Sequence, residues 1–413
     1  MHRALAVVLL VAPTAAFAQH MHHGDSAAEL FLMQQASGTA ANPGAAPMQM
    51  LMTNAGSWHL MAHAYATFDS LRETGPRGHD KNFSTNWGMF SAQRAAGRGA
   101  IQFRSMLSLE PATISNRQYP ELFQTGETAF GKPIIDGQHP HDLFMELSAE
   151  YARPFAGSGM LFVYVAPVGD PSLGPVAFPH RESAMEIPQA VIGHHFEDST
   201  HISYNVITAG VQLGMWRLEG SSFHGAEPDE DRWDIDGGRL DSASGRLTFT
   251  PTPNLTAHVS AGYLTKPEKL EPGDAKRGTA SISYTLAGWS STLLFGRVYK
   301  ESHDIWLNAW LAESTLRLAR RHVFAVRVEN ADKDELFPHF HRTNKVERPA
   351  LPVPIFRVTA ATLGYTFDFW IRDPLRLGLG ANATWYRFPE ILQGFYGQKP
   401  RSQMIYLRAR LGA

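Results

Sequence analysis

The sequence predicts an all-β protein, a transmembrane antiparallel up-and-down β-barrel of about 16 strands (roughly 14–18), with short periplasmic turns and long extracellular loops. Three observations carry this. Segments of about ten residues alternate apolar and polar side chains, the length and period of a tilted membrane strand. Short and long connections follow one another in strict alternation between these segments. The chain opens on an export signal.

That signal is Met1-His2-Arg3, the apolar run from Ala4 to Ala18, and the small-residue end Ala16-Phe17-Ala18. A basic start, a short apolar core and an A-x-A end make residues 1–18 a cleaved signal peptide, and the run is too short to anchor the chain in a bilayer.

Residues 19–56 read as a periplasmic extension containing His and Met. Ser26-Ala27-Ala28-Glu29 is a capping-box pattern ahead of Leu30-Phe31-Leu32-Met33, which predicts a short N-terminal helix. Ser37 to Pro47, rich in Ala, Gly and Pro, reads as a linker. Ahead of the helix, His20-Met21-His22-His23 offers imidazole and thioether ligands, the donor set that captures copper. Met48, Met50 and Met52 add thioethers at alternate positions.

Residues 57–413 carry the barrel. Strands are expected near 57–68, 86–94, 99–109, 142–152, 159–167, 201–211, 214–223 and 239–250. Further strands are expected near 255–264, 278–287, 290–299, 308–318, 322–330, 356–368, 374–386 and 402–411. In the first, Trp58, Leu60, Ala62, Ala64, Ala66 and Phe68 share a face opposite His59, Met61, His63 and Tyr65. Long connections fall at 69–85, 110–141, 168–200, 224–238, 265–277, 300–307, 331–355 and 387–401, leaving both barrel ends on the short-turn side. A secreted β-sandwich or propeller also alternates its faces but has no reason to alternate its connection lengths. The last strand, Ile405 to Ala413, lacks the terminal Phe or Trp common in such barrels.

Composition narrows the function. Without cysteine there is no disulfide, no Cys zinc site and no thiol nucleophile. Hydrophobic residues make up 44% of the chain, yet no mature run is long enough for a membrane helix. A net charge of −2 speaks against nucleic-acid binding. There is no G-x-S-x-G elbow, and no catalytic residue is assigned. The expected partners are outer-membrane lipid and lipopolysaccharide, the barrel-assembly machinery and small polar solutes.

On the polar face the sequence places Arg104, Arg217, Arg297, Arg317, Arg327, Arg376, Arg408 and Arg410, with Glu146, Glu150, Glu219, Glu313 and Glu329. Such side chains either set ion selectivity or tie the lumen walls together as an Arg–Glu ladder. The main reading is a pore for small polar solutes lined by Arg and Glu, narrowed by inward folding of loops 110–141 and 168–200. No cofactor is certain, but copper or another divalent metal is the candidate ligand. Adjacent loops hold His139, His141, Asp142, His194, His195 and Glu197, which could pool around one ion, so metal capture or resistance is the second reading. A soluble periplasmic β-protein is the third. The acidic run Asp229-Glu230-Asp231 with Asp234 and Asp236 reads as a solvated loop, since it lacks EF-hand spacing.

The phrases Ser108 to Ile114 (SLEPATI), Gly137 to Ser148 (GQHPHDLFMELS), Ala166 to Arg181 (APVGDPSLGPVAFPHR) and Gly193 to Ser203 (GHHFEDSTHIS) resemble a group of uncharacterised exported bacterial proteins predicted to be outer-membrane β-barrels. His224 to Asp229 and Arg232 to Asp236 belong to the same pattern. The resemblance implies the barrel and transfers no ligand or catalytic residue.

Overall fold

The structure, a computed structural model, describes residues 26–47, 50–271, 273–337 and 354–412. The signal segment, His20, His22, His23 and Met48 lie outside the described residues.

The wall strands in chain order are β1 (Trp58–Glu73), β2 (Asn86–Ala96), β3 (Gly99–Leu107), β4 (Phe144–Phe155), β5 (Gly159–Gly169) and β6 (Ser203–Leu213). They continue as β7 (Trp216–His224), β8 (Ser242–Thr252), β9 (Leu255–Leu264), β10 (Ala275–Leu286) and β11 (Trp289–Lys300). The last are β12 (Ile305–Leu318), β13 (His322–Lys333), β14 (Phe356–Arg372), β15 (Leu375–Arg387) and β16 (Arg401–Leu411). Each pairs antiparallel with its sequence neighbours, and β16 closes on β1 from Ser402↔Glu73 to Leu411↔Ala64. Every expected strand is present. Some run further than expected, β1 to Glu73 on the long-loop side and β14 to Arg372 on the short-turn side.

Because β16 stops opposite Ala64, the short-turn end of β1 needs another partner. Leu51–Ala55 supplies it, pairing with β1 from Leu51↔Ala62 to Ala55↔Trp58. Gly56, at φ 60°, takes the left-handed conformation that a two-residue hairpin turn requires.

The alternation sorts the faces physically. Phe68, Phe90, Leu161, Val163, Leu218, Val259, Ile282, Leu293, Leu363 and Ile405 project outward and exposed. A soluble protein would not hold so large an apolar band in water, whereas lipid welcomes it. Aromatic pairs mark both rims: Trp216 on Phe249 at 4.2 Å near the short turns, Tyr299 on Trp306 at 4.9 Å near the long loops.

Two expectations about side-chain direction are corrected. Arg297 does not line the lumen. It lies exposed on the outer face of β11, its guanidinium 4.3 Å from the Trp306 ring centroid. Leu293 and Leu294 are both apolar, so the pattern there does not say which face is which. Near the rim an outward arginine keeps its stem on apolar surface and its charge at the headgroups. Period-two alternation alone would set Met145 on one face with Leu147 and Tyr151. A register shift between Phe144 and Glu146 turns it into the lumen, beside buried Glu146.

Candidate functional site

The lumen is occupied by protein. Residues 170–202, between β5 and β6, run inward and are nearly all buried. Prolines 171, 175, 179 and 188 keep this inserted segment out of the sheet, since each lacks an N–H and fixes φ. Its backbone is satisfied by tight turns instead, such as Ala184 N–H to Arg181 O at 2.8 Å and His194 N–H to Val191 O at 3.0 Å.

Charge fixes the segment to the wall. Arg181 donates to Asp198 at 3.0 Å and to Glu313 on β12 at 2.6 Å. Glu186 accepts from Arg317 at 3.0 Å and Arg410 at 3.1 Å, and also pairs with Arg408. Arg327 donates to Gln189 O at 2.9 Å, and Glu329 accepts from Ile192 N–H at 2.5 Å. Arg327 also lies 3.5 Å from Glu313. Neighbours in sequence do not pair here: Arg317 turns to Glu186 and Asp368 rather than to Glu313, and Glu329 serves the inserted segment rather than Arg327.

A second occupant enters from the other side. The helix α1 (Ala27–Met33) has the expected capping box, Ser26 with Glu29. It packs against Ala100, Ala152, Met160 and Phe162 inside the short-turn end of the barrel. The stretch expected to be a linker instead begins as a tight buried hairpin, Gln35–Ser37 with Ala40–Ala41. Lumen arginines hold its carbonyls: Arg104 on Gly38 O at 2.5 Å and Arg217 on Thr39 O at 2.8 Å. Arg104 and Arg246 are neutralised by Glu146 at 2.8 Å and Glu219 at 2.7 Å. Glu150 accepts from Gln35 at 2.7 Å. Arg376 faces the lumen half-buried near the short turns. The lumen charges thus work as anchors for inserted chain. A Cβ on Gly38, at φ +48°, would come within 2.3 Å of Asp170 O, so Gly38→Ala is expected to loosen the hairpin, read as faster amide exchange over residues 35–41.

The hairpin Tyr119–Ala129 with Lys132–Gln138 folds inward as well, burying Leu122 and Phe123 on wall residues Val298, Leu307 and Ala360. It delivers His139 and His141 to the inserted segment. Ring centroids lie at 6.1 Å for His139–His194, 5.9 Å for His139–His195, 5.4 Å for His194–His195, 5.3 Å for His194–His201 and 5.4 Å for His141–His201. The loop histidines therefore meet, with His201 as a fifth member.

Their tautomers follow from their partners. Nδ1 of His141 contacts Glu110 at 2.9 Å, that of His194 contacts Asp198 at 2.8 Å, and that of His195 contacts Glu227 at 3.1 Å. Nδ1 of His201 contacts Asp198 O at 2.8 Å. These oxygens accept, so Nδ1 carries the proton and, in each neutral ring, Nε2 keeps its lone pair. Nε2 of His195 and of His201 is buried without a hydrogen-bond partner. Burial pushes His194 down to about 4 and His201 down to about 3, so both are neutral at physiological pH. For His141 burial opposes the charge, yet the Glu110 carboxylate prevails and raises it.

Not every expected ligand joins. Asp142 is engaged by Arg232 at 3.0 Å and by the Tyr204 hydroxyl at 2.6 Å. Glu197 points at the wall near Gly193 and Gly296, where burial and Asp198 raise it well above the carboxylate range. The rings also do not close three ligand atoms on one point. Among the described residues the imidazole and carboxylate atoms that gather in threes within 4.8 Å are Asp229, Asp234 and Asp236 on an outer loop, and Glu268, Glu271 and Glu335. The latter set surrounds Lys300, which lies 2.7 Å from Glu271 and 3.0 Å from Asp334 and offsets part of its charge.

Two carboxyl groups of the inserted segment titrate in opposite senses. Burial pushes Asp170 up to about 8, against Arg246 and the Ser37 hydroxyl. Glu186 is also opposed by burial, but Arg408, Arg410 and Arg317 bring it down to about 2. The depressed Glu186 stabilises docking above its unfolded pKa, and this is lost as pH falls from about 4.5 through about 2. The raised Asp170 stabilises docking at low pH, and this is lost as pH rises from about 4 through about 8. Protease protection of residues 170–202 is expected to pass through a maximum in weak acid and to fall on both sides.

No family model matches the chain, and no curated protein matches it in sequence. Solved structures do. The anion-selective porin from Comamonas acidovorans superposes with a TM-score of 0.54 at 10% identity, over 86% of this chain and 100% of that one. Salmonella typhi OmpF, in a complex with daunomycin, gives 0.52 at 7% identity, over 87% and 100%. The outer membrane channel DcaP of Acinetobacter baumannii gives 0.51 at 9% identity, over 87% and 98%. At these identities the likeness is one of fold, and the fold is that of a sixteen-stranded porin-type barrel.

Proposed function

We propose that the chain is an outer-membrane channel for small polar solutes, closed at rest by residues 170–202 and opened by displacing them. One observation carries this reading: ion pairs and hydrogen bonds at Arg181, Glu186, Gln189 and Ile192 tie the inserted segment to the lumen wall, beside apolar contacts such as Val191 on Leu294 and Leu311. The polar contacts exchange for water at little net cost when the segment leaves, so they hold it in place without locking it. An Arg- and Glu-lined wall would then be left to conduct. Reconstituted in planar bilayers, the protein is expected to give rare, small steps. A steady open-porin current from the intact protein, or no current at any voltage or pH, would count against it.

A second reading, transition-metal capture at the loop histidines, is favoured by the Nδ1 anchoring of His141, His194 and His195 on carboxylates. That arrangement orients an imidazole and raises its basicity as a ligand. Calorimetry with Zn(II) and Cu(II) on the intact protein and on a His194→Ala, His195→Ala variant tests it. Equal binding by both proteins would remove these residues from any metal role.

A further inference from the structure

Beyond Phe178 the histidine row continues to two rings that the sequence did not nominate, His180 on the inserted segment and His63 on β1. Their surroundings differ from those of the loop histidines. His63, Met89 and Met106 form one row across three adjacent strands: His63↔Met89 are register partners between β1 and β2, and Met89↔Met106 between β2 and β3. Nε2 of His63 lies 3.2 Å from Sδ of Met89, and Nε2 of His180 lies 2.9 Å from Sδ of Met106. The two rings are 5.7 Å apart. Trp87 packs on both, 5.0 Å from His63 and 4.4 Å from His180. Met145 and Met185 belong to the same apolar cluster.

We propose that His63, His180, Met89 and Met106 form a site for a soft monovalent metal ion, Cu(I) or Ag(I), inside the barrel. Thioether sulfur is a weak hydrogen-bond acceptor, so the buried His180 and half-buried His63 imidazoles, both aimed at thioethers, are poorly served as hydrogen-bonding groups. As ligands the four atoms are well matched, because thioethers select copper(I) and imidazole binds it too. All four are neutral. Arg104 and Arg410, the charged groups nearest His63, are already paired with Glu146 and Glu186. A divalent ion would bring charge that nothing here offsets, whereas a monovalent one brings half as much, and the face of Trp87 can share it. His180 is held neutral by burial, with the neighbouring His63 and Arg104 adding to the effect, so no proton competes for its lone pair. Because His180 belongs to the inserted segment and the other three ligands to the wall, a bound ion would also pin that segment in place. The site stands independently of conduction and of divalent capture at the loop histidines.

The test uses full-length protein in detergent, titrated anaerobically with Ag(I) and with Cu(I) against a chromophoric chelator. The background is a His20→Ala, His22→Ala, His23→Ala variant, which removes histidine capture at the N-terminus. One ion per chain is expected to bind in that background, with sulfur and nitrogen scatterers in its X-ray absorption spectrum. Met89→Leu with Met106→Leu conserves volume and apolarity, and is expected to weaken binding by about a hundredfold or more, beyond the usual cost of disturbing a second shell. If that pair does not fold, His180→Gln on the inserted segment should give the same loss. An ion held equally tightly by the leucine or glutamine variant, a spectrum with only nitrogen and oxygen, or no ion bound in the histidine-free background would each overturn the site.

Discussion

Replacing residues 171–200 with a short Gly/Ser turn is expected to turn a nearly silent protein into a continuously conducting one, raising single-channel conductance on the order of tenfold or more, since open sixteen-stranded barrels enclose an aqueous channel. The wall should survive the excision. β5 and β6 are register partners up to Gly169↔Ser203, so their ends are adjacent and a tight turn can join them. The pore should also prefer anions. The excised stretch carries Glu182, Glu186, Glu197 and Asp198 against Arg181 alone, so its loss leaves Arg317, Arg327, Arg408 and Arg410 facing water with fewer counter-charges. A reversal potential measured across a salt gradient reads this directly. Unchanged conductance would mean that the N-terminal hairpin, or another loop, seals the barrel alone.

Glu186→Ala is expected to have the largest effect of any single substitution. It leaves Arg408, Arg410 and Arg317 converging on a vacated position, with Asp368 still paired to Arg408 and Arg317. Removing one partner of a buried ion pair costs about 3–5 kcal/mol, because the remaining charge stays desolvated. That is enough to undock the segment without opening the sheet. Amide exchange over residues 180–192 should accelerate by two orders of magnitude or more, since about 1.4 kcal/mol is tenfold, while β10–β13 keep their protection. Glu186→Gln, which keeps a hydrogen-bond acceptor, should fall between. Equal protection in all three proteins would show that the contact is not what holds the segment.

The wall was legible because period-two alternation is enforced along every strand by lipid on one side. Where lipid does not decide, the pattern was less informative. Arg297 sits at the rim, where a charge is tolerated outside, and Met145 follows a register shift that no local pattern announces. The loop histidines could be named, since His139 and His141 flank a proline and His194 and His195 are adjacent. That they would meet depends on two inserted segments touching inside the lumen, which is tertiary information. His63 and His180 were harder still. One reads as an ordinary strand residue and the other as an isolated loop histidine, and their methionine partners look like lipid-facing apolar residues. A search for His and Met in register on neighbouring strands would have found His63 with Met89, but not His180.

Two of the occupants of the lumen are tethered at opposite mouths. Residues 170–202 are fastened at both ends to β5 and β6 at the long-loop rim, and the hairpin at 35–41 is joined onward to β1 at the short-turn rim. Ser37 touches Asp170 where they meet, at 2.8 Å. The barrel is therefore bolted from both sides of the membrane, and each bolt can be drawn only toward its own side. On the gating proposed above, traffic in either direction would require an event on each face, and a stimulus confined to one compartment would unlock half the door.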